Sequence, residues 1–432
     1  MDIRRIDLTT HSRIERSALT RRSVVPDQTV REQAASIVQL VAAGGDAALW
    51  EAGRRYGGGP SSREARIPPD RIAAALTHLP PATAAALEGA IANIRAVHEQ
   101  QRPRDHLVAP APGVEIARVW SPLGRVGVYA PGGRAAYPSS VLMGVIPAQV
   151  AGVESIAVAS PVGPDGRLNE ATLGASALLG IDEVYAMGGA QAIAALAHGT
   201  ETIAPVDKIV GPGNDWVTAA KLAVFGVCGI DLPAGPSEAL VLTDGSANSR
   251  IVAVDLLCQA EHGVESPVVL LTTAPDQVPD ILAAAEAMLL GLERSAIIRA
   301  ALEDHGLIAI APDLETAIAF SNDFAPEHLS VHTGEAPSVA KRLTSAGSVF
   351  VGEWAPESAG DYATGANHVL PTGGLARSYG PLSVEDFGSW RQVQELTRAG
   401  LSTLRPIIEE LAAVEGLTAH RLAVQVRFEE GR

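Results

Sequence analysis

Four short groups of residues in this chain combine types and spacings that suit chemistry. In CQAEHG, Gln259 and His262 stand three apart. On a helix that spacing puts an amide oxygen and an imidazole nitrogen on one face, where both can reach one metal ion. Gly263 marks the expected helix end. A histidine near a helix end also commonly caps the helix or fills the core, so the pair alone leaves both roles open. In FAPEHLS, Pro326 sets the backbone before Glu327 and His328. A carboxylate and an imidazole side by side supply two different bases, as a two-step oxidation requires; the competing expectation is a solvated loop with an exposed acid. In GDYATGANHVLPTGG, a loop rich in Gly, Asn and Pro carries Asp361, either a hard oxygen ligand or a turn cap. The same loop carries His368, either a site residue or a partner for backbone. Glu415 and His420 in VEGLTAHRLAV stand close to the C-terminus, where a ligand serves a site only if the tail folds back or crosses to another subunit.

Three Gly-rich turns, YAPGGRAAYPSS, MGGAQA and VGPGNDW, lie at strand ends or lead into helices. Backbone amides at helix starts bind phosphate or hydroxyl groups. No G-x-G-x-x-G follows a strand, so the usual dinucleotide fingerprint is absent. Cys258 adjoins Gln259, but neighbours on a helix point about 100° apart. It is therefore expected in the core rather than as a thiol nucleophile.

The elements that must position these groups follow from the hydrophobic pattern. Residues 27–101 read as helices with a break at Gly44-Gly45 and an end at Pro103. GVEIARVWSPLGRVGVYAPGG reads as two strands about Pro122–Gly124, and strands SIAVAS, EVYAM and DKIVG then alternate with helices. A second series begins near residue 239 with ALVLTD, the helix SRIVAVDLLCQAEHG, and the strands PVVLLTT, LIAIAP and SVFVG. Two βα series predict an α/β fold of two doubly wound domains with a cleft between them. The last segment reads as helical and charged, ending in strand-like LAVQVRF.

Composition narrows the function. A 432-residue chain exceeds the size of one growing core, which predicts at least two domains. The formal net charge of -16, with no basic run, argues against nucleic acid and anionic membrane surfaces. The charged N-terminus is no signal peptide and no apolar run suits a membrane span. With only Cys228 and Cys258, the expected setting is the reducing cytoplasm.

Taken together, the runs VYAPGGRAAYPSSVLM, VDKIVGPGN, GIDLPAGPSE, QAEH, FAPEHL, GDYATGANHVLPTGG and EGLTAH resemble, in order and spacing, the histidinol dehydrogenase family. The resemblance covers most of the chain. It implies a zinc- and NAD-dependent oxidation of L-histidinol through its aldehyde to L-histidine, in histidine biosynthesis. The implied zinc ligands are Gln259, His262, Asp361 and His420, the last from the partner of a homodimer through a swapped C-terminal arm. The implied bases are His328 for the alcohol and Glu327 for the water that attacks the aldehyde. The implied substrate contacts are Ser237, Gln259, His262, His328, Asp361, Glu415 and His420, and the implied cofactor contacts are Tyr129, Gln191 and Asn214. The implied fold has two incomplete Rossmann-like domains: 25–108 plus 239–382 for zinc and catalysis, and 109–238 for NAD. An N-terminal extension, 1–24, and the arm, 383–432, complete it.

Two stretches depart from the family pattern: Gly388, Ser389 and Trp390 replace a more basic segment, and Asp215-Trp216 follows GPGN. Neither touches a ligand or base, yet both could reshape a pocket wall. That leaves open a related zinc and NAD enzyme acting on another amino alcohol or a sulfonated diol. A non-catalytic binding protein on the same scaffold would be expected to lack a ligand or base, and all six are present.

Overall fold

In the computed structural model, residues 1–10, 13–59, 63–132 and 137–429 are described. Part of the first Gly-rich turn, 133–136, lies outside them. The chain forms two compact units, Met1–Gln101 with Leu123–Phe387, and Arg102–Pro122 with Gly388–Arg432.

The first unit holds two six-stranded sheets. One runs in the order Arg66–Ile67, Val184–Ala186, Ser155–Ser160, Arg125–Tyr129, Lys208–Val210, Gly229–Ile230, parallel except for its first strand. The other runs Arg4–Asp7, Gly306–Ile310, Val268–Thr272, Ala239–Thr243, His328–His332, Ser348–Val351, parallel throughout. Strands such as ALVLT and VVLLT are buried at every position, as parallel strands covered on both faces must be. Side-chain caps set the helix starts: Asn248 accepts the Arg250 N–H, Asn214 that of Val217 and Asp313 that of Thr316. The long helix Gln28–Tyr56 kinks at Gly45, the break expected at Gly44-Gly45.

Several expectations change here. The expected grouping of 25–108 with 239–382 does not match the packing. Ala34, Ile37 and Val41 share a core with Ala157, Ala159 and Tyr185, while Ile72, Leu87 and Ile94 share another with Val126, Val158 and Val184. These helices therefore flank the sheet containing Arg125–Tyr129; an apolar helical stripe does not itself say which sheet it covers. LAVQVRF is not a strand. It falls largely in the helix Thr418–Gln425, because a short alternating run fits either period and here has no strand to pair with. The strand of this region is Gly388–Leu396, which joins Val114–Pro122 and His106–Ala111 in an antiparallel sheet of the second unit. The N-terminal extension also contributes more than a tail, since Arg4–Asp7 forms a sheet edge.

In the first sheet the chain fills one side with 125, 155 and 184, then crosses to place 208 and 229 on the other. The switch point lies between Arg125–Tyr129 and Lys208–Val210, where open α/β sheets form a ligand crevice at the carboxyl ends. Gly211 closes the approach. Its φ is +115° and a Cβ there would stand 2.0 Å from the Tyr129 carbonyl oxygen. Gly211→Ala should therefore destabilise the protein by about 3 kcal/mol through backbone strain and clash. Chemical denaturation checks this, and unchanged stability would show that the two strand ends do not need such close approach.

Candidate active site

The second sheet has its own switch point, between Ala239–Thr243 and His328–His332. Its chemistry, however, gathers at the opposite, amino edge. Ser237 and Glu238 precede the first strand, and Glu327 precedes the second. The helix Ser249–Ala260 leaves the carboxyl edge and returns, as a parallel crossover must, so Gln259 and His262 come back to the amino edge. A buried pair fastens this helix to the strand: His332 Nε2 lies 2.6 Å from Asp255 Oδ2. Asp255 stands four residues before Gln259, and His332 four after His328.

FAPEHLS is not a solvated loop. The helix Leu314–Phe324 ends at Ala325, whose φ of 51° makes it the single non-glycine residue with positive φ among those described. Pro326 follows, and His328 opens a strand buried at all five positions. Glu327 is buried; its Oε2 accepts from Ser237 Oγ at 2.7 Å and from the Glu238 N–H at 2.9 Å. Burial holds its carboxyl above the usual range, against the opposing pull of His328 and of these hydrogen bonds. His328 Nδ1 faces the Glu238 carbonyl at 3.3 Å, so in the neutral ring Nδ1 carries the proton and Nε2 the lone pair. Nε2 has no hydrogen-bond partner and lies 3.9 Å from Asp361 Oδ1. Burial alone would lower this imidazole, but the carboxylates of Glu327, Glu357 and Asp361 outweigh it and raise it.

Gln259 is fully buried, and neither its Oε1 nor its Nε2 has a hydrogen-bond partner in the protein. A buried amide in that state is costly unless a further group engages it. Beside it, His262, Glu357 and Asp361 offer ligand atoms that all lie within 4.8 Å of one another. Imidazole nitrogen, amide oxygen and carboxylate oxygen together form a donor set that fits zinc. Asp361 sits on the short helix Glu357–Tyr362 rather than in a loop, and burial raises its carboxyl. Glu357 was not among the candidates. It is 2% exposed, and its Oε1 stands 3.3 Å from His262 Nε2. The signal was its position four residues before Asp361, one helical turn away on the same face. His368 Nδ1 meets the Asp361 carbonyl at 3.0 Å, and burial keeps this ring below its ordinary range. Its loop is pinned by Asn367, which donates to the Met143 carbonyl at 2.9 Å and stands 3.3 Å from His98 Nε2.

The structure thus draws Ser237, Gln259, His262, Glu327, His328 and Asp361 to one edge of one sheet. Glu415 and His420 belong to the second unit, where both are exposed. Tyr129 ends the strand Arg125–Tyr129 at the switch point of the first sheet, Gln191 lies in the first turn of the helix Gly189–His198, and Asn214 immediately precedes the helix Asp215–Val224. Tyr129 Oη accepts from the Gly189 N–H at 3.3 Å, Gln191 donates to the Gly57 carbonyl at 2.9 Å, and Asn214 caps its helix. Cys258 is half-buried rather than fully in the core. Burial, reinforced by Glu357 and Asp361, pushes its thiol up to about 12, which keeps it protonated and unsuited to nucleophilic attack.

A family model described as histidinol dehydrogenase matches residues 20–428. The chain is 42% identical over 414 residues to a histidinol dehydrogenase of Methanothermobacter thermautotrophicus, covering 96% of this chain and 97% of that one. It is 50% identical over 345 residues to one of Haloarcula marismortui, covering 80% and 81%. Among solved structures, the crystal structure of histidinol dehydrogenase from Elizabethkingia anophelis superposes with a TM-score of 0.92 at 38% identity, covering 98% of each chain.

The Gln259 amide yields a test independent of turnover. Gln259→Met keeps the length of the side chain and removes the two unpartnered polar atoms. The metal-free variant should be more stable than the metal-free parent by about 1–3 kcal/mol, while losing metal affinity. Denaturant unfolding in chelator measures the first effect; a variant no more stable than its parent would mean that the amide is satisfied within the protein.

Proposed function

The chain belongs to the histidinol dehydrogenase family, and from that premise we propose that it oxidises L-histidinol to L-histidine in two NAD-linked steps. The observation that carries this reading is the convergence at one sheet edge of a buried, unpartnered amide, a His–Glu–Asp cluster and a histidine with a free Nε2. Gln259, His262 and Asp361 would hold zinc, with the partner subunit's His420 as the fourth ligand. Bound zinc would hold and orient the amino alcohol.

The protein's own residues then divide the work. His328, with its Nδ1 proton directed at the Glu238 carbonyl, takes the hydroxyl proton at Nε2 as the carbinol carbon gives its hydride to NAD. The product is the aldehyde. Glu327, held by Ser237 and the Glu238 N–H with its carboxyl raised by burial, takes a proton from the water that adds to that aldehyde. The hydrate passes a second hydride to a second NAD and leaves as the acid. A carboxyl raised toward neutrality is a stronger base than a solvated one, which suits this step. Both groups are buried, which protects the aldehyde between the steps.

NAD would lie in the crevice at the switch point of the first sheet, against Tyr129, Gln191 and Asn214. The backbone there is Gly-rich and leads into the helix Asp215–Val224, a setting that binds phosphate without the usual fingerprint. A homodimer is part of the reading. Leu411, Val414, Leu422 and Val426 are exposed on or beside the helices that carry Glu415 and His420, an apolar face that a partner would cover. Two free cysteines, and no helix among the described residues long and apolar enough to cross a membrane, agree with a cytoplasmic setting. The divergent Trp390 has a local role: it faces Trp120 across the antiparallel sheet, ring centroids 5.5 Å apart, with the Arg118 guanidinium 4.2 Å from its own ring. Nothing in that packing favours another alcohol.

Zinc-loaded protein given L-histidinol and NAD should form two NADH per histidine. NADH without histidine, or no turnover, would instead direct the search to other amino alcohols and diols. Mixing His420→Asn subunits with His328→Ala subunits, each inactive alone, should restore partial activity. Verified mixed dimers without activity would return His420 to its own chain.

A further inference from the structure

The side chain of Glu238 is assigned no role in the chemistry above. The backbone of this residue touches both bases. The N–H donates to Glu327 Oε2 at 2.9 Å, and the carbonyl accepts the His328 N–H at 3.2 Å and faces His328 Nδ1 at 3.3 Å. The placement of one base and the tautomer of the other therefore depend on where this single residue sits.

Its side chain is 2% exposed and carries a carboxylate into the interior. Two contacts hold it. Oε1 accepts the Gly373 N–H at 3.1 Å, and Oε2 is paired with the Arg22 guanidinium. Arg22 comes from the N-terminal segment and reaches further. Its other terminal nitrogen donates to the Phe324 carbonyl, and its guanidinium carbon lies 3.5 Å from the centroid of the Phe324 ring. Phe324 is the last residue of the helix that ends at Ala325, just before Pro326 and Glu327. Arg22 thus ties the turn before one strand to the turn before its neighbour. Arg377 braces the same segment by donating to the Thr20 carbonyl at 2.9 Å and to the Asp323 carbonyl.

A buried ion pair gains little net stability over apolar residues of the same shape, but it fixes geometry, and losing one member leaves a costly charge. We infer that Arg22 and Glu238 are positioning residues for this reaction, holding in place the residue whose N–H and C=O orient Glu327 and His328. The inference rests on the proposal that those two are the bases. It brings the N-terminal segment and the PTGG turn, neither of which touches the reacting atoms, into the working site. Burial, with Glu327 nearby, pushes the Glu238 carboxyl up to about 7 against the opposing effect of Arg22, in keeping with a charge that needs its partner.

The test compares zinc-loaded Arg22→Lys, Arg22→Met and the neutral double variant Arg22→Met/Glu238→Gln with the parent. L-histidinol and histidinaldehyde are assayed as separate substrates, and the folded fraction is measured at the assay temperature. His328→Asn and Glu327→Gln serve as controls. Misplacing both bases should lower kcat for both substrates together by roughly 10- to 100-fold in the double variant, with KM for histidinol nearly unchanged. Arg22→Lys, which keeps the charge but loses the fork, should recover part of the rate. The inference is overturned if the folded double variant keeps the parent's kcat, or if its loss only tracks the unfolded fraction. Turnover retained by both controls would instead overturn the assignment of the bases, whatever Arg22 does.

Discussion

The site depends first on one register. Ala239 lies opposite His328 in the parallel pairing of their strands, and the pairs continue without a slip to Thr243 and His332. That alignment brings the residues before Ala239, Ser237 and Glu238, alongside the residue before His328, Glu327. A shift by one residue would turn His328 to the other face of the sheet and separate it from every group it meets here. The apolar residues of ALVLT, buried on both faces, hold the register through packing that has nothing to do with chemistry.

The helix that follows the first strand adds a second fixed length. Its crossover returns to the starting edge, and the Asp255–His332 pair sets how it lies against the strand. Gln259 and His262 fall one and two turns beyond that pair, where the short helix with Glu357 and Asp361 meets them. Four segments distant in sequence therefore share one edge because two strands and one helix leave them no other place. Burial then does electrostatic work, raising the carboxyls of Glu327 and Asp361 while neighbouring acids raise His328.

Much of this was legible in the sequence. The apolar runs became strands, the break at Gly44-Gly45 fell where the long helix kinks, and six of the proposed site residues came from short motifs that the fold does bring together. The failures share a physical origin. For FAPEHLS the competing expectation is a solvated loop, yet the five residues from His328 to His332 are all buried, and His332 is matched by an acid 77 residues away in the chain. Pairing of that kind cannot be seen locally. Glu357 directly follows Pro356, and its one local signal is its spacing from Asp361. The helices of 28–99 show which face they bury but not which sheet receives it. LAVQVRF has the alternation of a strand without a ladder to join.

One feature of the second sheet bears on engineering. Sheets of this type usually bind at their carboxyl edge, and here that edge carries the turns after Thr243, Thr272 and Ile310, with Gly245, Ser246, Pro275, Asp276, Pro312 and Asp313 exposed. None of these residues belongs to the constellation at the amino edge. The two edges are separated by the length of five-residue strands, so the turns form a handle where a tag, a fluorophore or a surface tether can be grafted while the working edge stays untouched.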